Sequence, residues 1–118
     1  MGLDMQLFGL EPNESGISRD SFNYRNELAY WRKHPNLHGY IVNAFACGED
    51  ECQKINLSLE DLSKILNAVE TDNLPETTGF FFGKSRVEDK ELSILQLNKV
   101  INWVNELPGR KVYYQASW

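Results

Sequence analysis

Cysteine is scarce in this chain: Cys47 and Cys52 are the two in 118 residues, beside two histidines, His34 and His38, and four prolines. Two thiols cannot make a disulfide-dense scaffold. A chain of this length buries roughly two-thirds of its unfolded surface, so a core forms without such a staple. Long apolar runs are missing too, and nothing approaches the roughly 18 residues of a membrane span. Met1-Gly2-Leu3-Asp4-Met5-Gln6 has neither the basic flank nor the apolar stretch of a secretory signal, and it fails the myristoylation pattern, which needs Ser or Thr at position 6. The expected location is cytoplasmic, with no membrane partner.

Positive charge is also in short supply. Twelve Lys and Arg stand against 17 Asp and Glu, a net charge of -5, and the pI is about 5.0. Such a molecule repels a phosphate backbone, which disfavours general nucleic-acid binding. The charge is spread, with 5 basic and 8 acidic residues in 1–59 and 7 and 9 in 60–118, so neither half is a basic arm or an acidic tail. Nucleophile motifs, phosphate loops, dinucleotide fingerprints and paired catalytic carboxylates are missing as well, so no catalytic residue and no cofactor is implied.

What is present is the make-up of an ordinary folded domain: 42% hydrophobic, 12% aromatic and 25% charged residues. The order of patterns predicts one α+β domain over 1–118, a mixed or antiparallel sheet of about four strands with about three helices packed on it. Leu3, Met5 and Leu7 alternate with Asp4, Gln6 and Phe8, so 3–10 reads as a strand. Residues 11–21 read as a polar connection, and 22–33 fits a helix through Tyr24, Leu28 and Trp31 or a strand through Leu28, Tyr30 and Arg32. Pro35 opens a helix over 35–46 in which Gly39 is a weak point, costing about 1 kcal/mol relative to alanine.

Further on, Gly48 to Glu51 reads as a turn and Gln53 to Leu57 as a short strand. Ser58 and Asp61 form a capping box that starts a helix with Leu59, Leu62, Ile65, Leu66 and Val69 on its apolar face. Gly79-Phe80-Phe81-Phe82-Gly83 reads as a central strand covered on both faces. Glu88 and Asp89 begin a long helix whose face collects Leu92, Leu95, Leu97, Val100, Ile101, Val104 and Leu107. Lys111 to Trp118 supplies a last strand, with Val112, Tyr114, Ala116 and Trp118 on one side.

Three groupings deserve chemical weight. His34, His38, Cys47 and Cys52 lie within nineteen residues, but a whole helix separates the first from the last, against the short hairpin of zinc-finger spacing, so no metal is assigned. Arg32 and Lys33 precede the helix start at 34–36, whose unpaired N–H groups attract anions, and Lys84 and Arg86 follow the aromatic run. If these ends meet, Arg32, Lys33, Lys84 and Arg86 form a basic cluster near His38 that would bind a small anion or nucleotide. Glu49, Asp50 and Glu51, with Tyr113 and Trp118 as exposed aromatic anchors, make the third grouping, suited to a basic surface on a protein partner.

Motifs spread over nearly the whole chain carry a resemblance: Met1-Gly2-Leu3-Asp4-Met5, Tyr30-Trp31-Arg32-Lys33 with His38, Gly79-Phe80-Phe81-Phe82-Gly83, and Tyr113-Tyr114-Gln115-Ala116-Ser117-Trp118. In this order they resemble a family of small phage and prophage proteins. His38 and Cys52 match that pattern. His34-Pro35-Asn36, Gly39-Tyr40 and Cys47 depart from it. The resemblance implies a viral or prophage setting, and with it an accessory role in a host cell's cytoplasm, such as inhibiting a host enzyme or a defence complex. The expectation is a protein that binds a host macromolecule without catalysis, with the anion-binding module as the rival.

Overall fold

The computed structural model describes residues 3–10, 25–77 and 85–118. Seven elements follow in chain order: β1 (Asp4–Leu10), β2 (Arg25–Arg32), α1 (Pro35–Phe45), β3 (Ile55–Leu57), α2 (Leu59–Glu70), α3 (Glu88–Glu106) and β4 (Lys111–Ser117). The strands form a four-stranded antiparallel sheet in the order β2-β1-β4-β3. This is an α+β fold, as the alternation of patterns predicts. The expected strand over Gly79–Gly83, its aromatic triplet and the connection at 11–21 lie outside the described residues.

The inner face of the sheet follows from period-two alternation. Met5 and Leu7 of β1, Ala29 and Trp31 of β2, and Val112, Tyr114 and Ala116 of β4 join one cluster with Leu37 and Ile41 of α1, Leu62 and Ile65 of α2, and Leu97 and Val100 of α3. Gly9 belongs to the same face, because a Cβ there would come within 2.5 Å of the Trp103 ring on α3. The outer face carries Phe8 stacked at 5.2 Å on Tyr113, in a patch apart from the main cluster.

The described part of the ambiguous segment is a strand over Arg25–Arg32, and a bulge explains its double reading. The register shifts between Leu7 and Phe8, which pair with Ala29 and Glu27, so Leu28 is the extra residue. Leu28 and Ala29 therefore both reach the core side, mimicking neither simple period. Edge strand β2 is closed by a side chain: the Tyr30 N–H donates to Gln96 Oε1 at 2.8 Å, and Gln96 Nε2 donates to the Tyr30 carbonyl at 2.9 Å. One amide on α3 thus stands in for a neighbouring strand at that position.

The helices start where local chemistry directs. Ser58 Oγ accepts from Asp61 N at 3.1 Å and Asp61 Oδ2 accepts from Ser58 N at 3.0 Å, the reciprocal box read from the sequence. Helix α1 has no such cap of its own; Pro35 lacks an N–H, and the Asn36 N–H donates to Ser85 Oγ, 49 residues away. At α3 the Asp89 carboxylate accepts from Arg86 N at 2.6 Å.

Burial departs from the sequence pattern on α2 and α3. Leu92 and Leu95, assigned to the apolar face of α3, are 44% and 68% exposed; Leu107 and Leu59 are exposed too. The buried stripe of α3 is instead Asp89, Ser93, Leu97 and Val100. Ser93 belongs to it because its hydroxyl receives the indole N–H of Trp31 at 2.9 Å, which makes a small polar residue fit where a leucine would not.

Candidate functional site

His38 sits on the packed face of α1, 2% exposed. Its Nδ1 lies 2.6 Å from the Tyr114 hydroxyl of β4, and its Nε2 lies 3.0 Å from both carboxylate oxygens of Asp50. An ionised Asp50 only accepts, so Nε2 carries the proton; a neutral ring then accepts the Tyr114 O–H at Nδ1. Burial, reinforced by the Asp50 carboxylate, holds the Tyr114 phenol well above its usual range, which keeps that proton in place.

The same carboxylate reaches outward. Trp118 Nε1 donates to Asp50 Oδ1 at 3.1 Å, and Trp118 is 44% exposed. Glu49 and Glu51 flank Asp50 on the surface. The turn is fixed from within: Gln53 Nε2 donates to the Glu49 carbonyl at 2.7 Å, and Gln53 Oε1 accepts from Glu51 N at 2.8 Å. It is fixed to the sheet as well, where Gln115 Nε2 donates to the Cys52 carbonyl at 2.9 Å. Cys47 and Cys52 hold φ of 54° and 59°, left-handed values uncommon for a residue with a Cβ. An acidic turn and an aromatic side chain 68 residues apart thus share one platform.

Two expectations about this region need correction. Tyr113 is not an exposed anchor; it is 3% exposed, stacked on Phe8 with Lys54 Nζ 5.0 Å from its ring. His38 does not face a basic cluster, because both its nitrogens are engaged by Tyr114 and Asp50. Trp118 and Asp50 are joined by a hydrogen bond, and Glu49 and Glu51 flank Asp50 in the chain.

The second place of interest is a cleft of about 360 Å³ where the start of α1, the end of α2 and the start of α3 meet. His34, Asn36, Val69, Asp72, Leu74, Ser85, Arg86, Val87 and Lys90 line it. His34 is 4% exposed, with Nδ1 2.6 Å from Ser85 Oγ and 3.9 Å from Asp89 Oδ2. Its Nε2 is buried and has no partner among the described residues. Burial lowers the pKa of this imidazole, partly offset by Asp89, so it favours the neutral form. Ser85 and Asp89 both approach Nδ1, so the three do not form the relay in which an acid and a serine occupy opposite ring nitrogens.

Of the expected basic cluster, only Arg86 lines this cleft among the described residues. Arg32 stands at the end of β2, 3.9 Å from Asp4, and Lys33 is an exposed residue whose N–H donates to the Leu3 carbonyl. Lys84 lies outside the described residues. The start of α1 is not an open anion site either, because the N–H of Asn36 is already taken by Ser85. What the sequence could not show is Lys90, Asp72, Ser85 and Asn36 around His34, since the partners of His34 lie more than 50 residues ahead in the chain.

Among the described residues no group of three or more His, Cys, Asp and Glu side chains is placed to hold a metal, and no helix is long and apolar enough to cross a membrane. No family model, curated protein or solved structure matches the chain.

Proposed function

We propose that this chain is a non-catalytic binding protein that docks on a basic surface of another macromolecule through Trp118 and the acidic turn Glu49–Asp50–Glu51. The observation that carries the reading is the Trp118 to Asp50 hydrogen bond at 3.1 Å, which joins an exposed indole to the acidic turn over the His38–Tyr114 base. Tryptophan is the side chain most enriched at the energetic centres of interfaces, and a platform fixed before binding loses little entropy on docking. The net charge of -5 favours a basic partner and speeds encounter with it. In the phage setting that the motif resemblance implies, the partner is a host protein or complex, and covering its basic face is how this chain inhibits it.

The test is affinity capture from a bacterial host lysate, followed by purification of the retained protein and measurement of its Kd. Trp118→Ala is expected to weaken binding at least tenfold, Glu49→Gln with Glu51→Gln to slow association in low salt, and both variants to keep the parent melting temperature. A partner that binds Trp118→Ala as tightly as the parent chain, or the lack of any saturable partner, overturns the reading.

A further inference from the structure

We propose that His38, buried beneath the acidic turn, is the positioning residue of the Trp118 surface and acts on it through Asp50. Its effect on affinity rests on the docking role proposed above, whereas the positioning itself belongs to the uncomplexed chain. Asp50 is the pivot. Its carboxylate accepts the His38 Nε2–H, 3.0 Å from each oxygen, and the Trp118 Nε1–H at 3.1 Å on Oδ1. Among the described residues it makes no ion pair with a Lys or Arg. Two N–H groups, one buried and one on an exposed side chain, therefore set its direction.

The Asp50 side chain is 30% exposed and stands between Glu49 and Glu51 in the chain, so hydration and the neighbouring charges both draw it outward. The His38 N–H opposes them from within. That donor is itself fixed: the ring is 2% exposed on α1, and the Tyr114 O–H occupies Nδ1 at 2.6 Å, which leaves the proton on Nε2 toward Asp50. The backbone of the turn has separate ties through Gln53 and Gln115, neither of which touches the carboxylate. What His38 adds is the direction of one side chain. Tyr114 lies on β4 and Trp118 directly follows that strand, so the hydrogen bonds leave β4, pass through a helix and a turn, and return at its end. Without the imidazole, the carboxylate turns to water and Trp118 loses its acceptor.

The chain has three tryptophans, and Trp31, whose indole N–H donates to Ser93, reports on the fold. Hydrogen exchange at each indole N–H is measured by NMR on the whole uncomplexed chain, with Trp118→Phe to assign the signal. In His38→Leu the Trp118 N–H is expected to exchange about tenfold faster while the Trp31 signal stays in place. His38→Gln, whose amide N–H reaches about as far as Nε2, is expected to restore most of the protection. An unchanged Trp118 rate in folded His38→Leu, or a loss in His38→Gln equal to that in His38→Leu, overturns the proposal. If His38→Leu loses the Trp31 signal, Tyr114→Phe decides: the ring stays, the hydroxyl goes, and Trp118 exchange is expected to rise about threefold, an unchanged rate being the contrary result. A captured partner should dissociate faster from His38→Leu than from the parent. Coupled exchange in a chain that captures nothing defeats the docking role and leaves the positioning standing.

Discussion

Gly39 lies against Thr77 so closely that a Cβ on Gly39 would sit 2.8 Å from the Thr77 Cβ and Cγ2 and closer still to its Oγ1. Thr77 is not free to retreat, because its N–H donates to Asn36 Oδ1 at 3.0 Å, on the same helix. The glycine that looks like a flaw in α1 is thus the condition for a loop to pass over it.

Gly39→Ala should accordingly destabilise the protein by about 1–3 kcal/mol, the usual range for overpacking, although helix propensity alone would make it stabilising by about 1 kcal/mol. Urea unfolding measures the sign. Thr77→Gly in the same chain should recover much of the loss, and a Gly39→Ala variant more stable than the parent would contradict the contact.

Ser93→Ala should cost about 1–3 kcal/mol, because the Trp31 indole N–H, fully enclosed, would lose its acceptor. Ser93→Thr, which keeps the hydroxyl, separates loss of the bond from crowding. An equal midpoint in parent and Ser93→Ala would show the bond to be idle.

Acid should weaken the fold through His34. Its folded pKa is lowered by burial, so below about pH 6.5 the unfolded chain takes up a proton that the native chain resists, and stability falls as pH falls. Above that range the contribution is complete. Asp89 opposes the effect from α3. Titration of the His34 Cε1 resonance by NMR is the check; an ordinary midpoint near 6.5 would refute it.

Alkali should act through Tyr114. The folded phenol stays protonated above pH 10 while the unfolded one ionises, so stability present below pH 10 is lost as pH rises toward the folded value. Absorbance at the phenolate band should show a late-ionising tyrosine that is Tyr114. Tyr114→Phe should remove that late step and cost about 1–3 kcal/mol by stranding His38 Nδ1.

The readable parts of the chain share one property: their signals are local. Alternation at 3–10, the Ser58–Asp61 box, Pro35 at a helix start and the apolar spacing of α2 each concern residues within a turn or two of one another, where backbone sterics and capping decide the outcome. The bulge at Leu28 escaped because it belongs to a pairing between two strands, and the exposure of Leu92 and Leu95 because a period identifies a helix without saying which part of its apolar face a neighbour covers.

The α+β class, the helix positions and the acidic character were therefore set by sequence, since propensity, patterning and charge add up along the chain. Tertiary structure alone decided that Trp118 meets Asp50, that Ser85 caps α1 and leaves His34 Nε2 unmet, and that Arg32 and Arg86 serve different places. Those relationships join residues tens of positions apart, and short-range hydrogen bonds and dispersion act only after the whole core has brought their partners within reach.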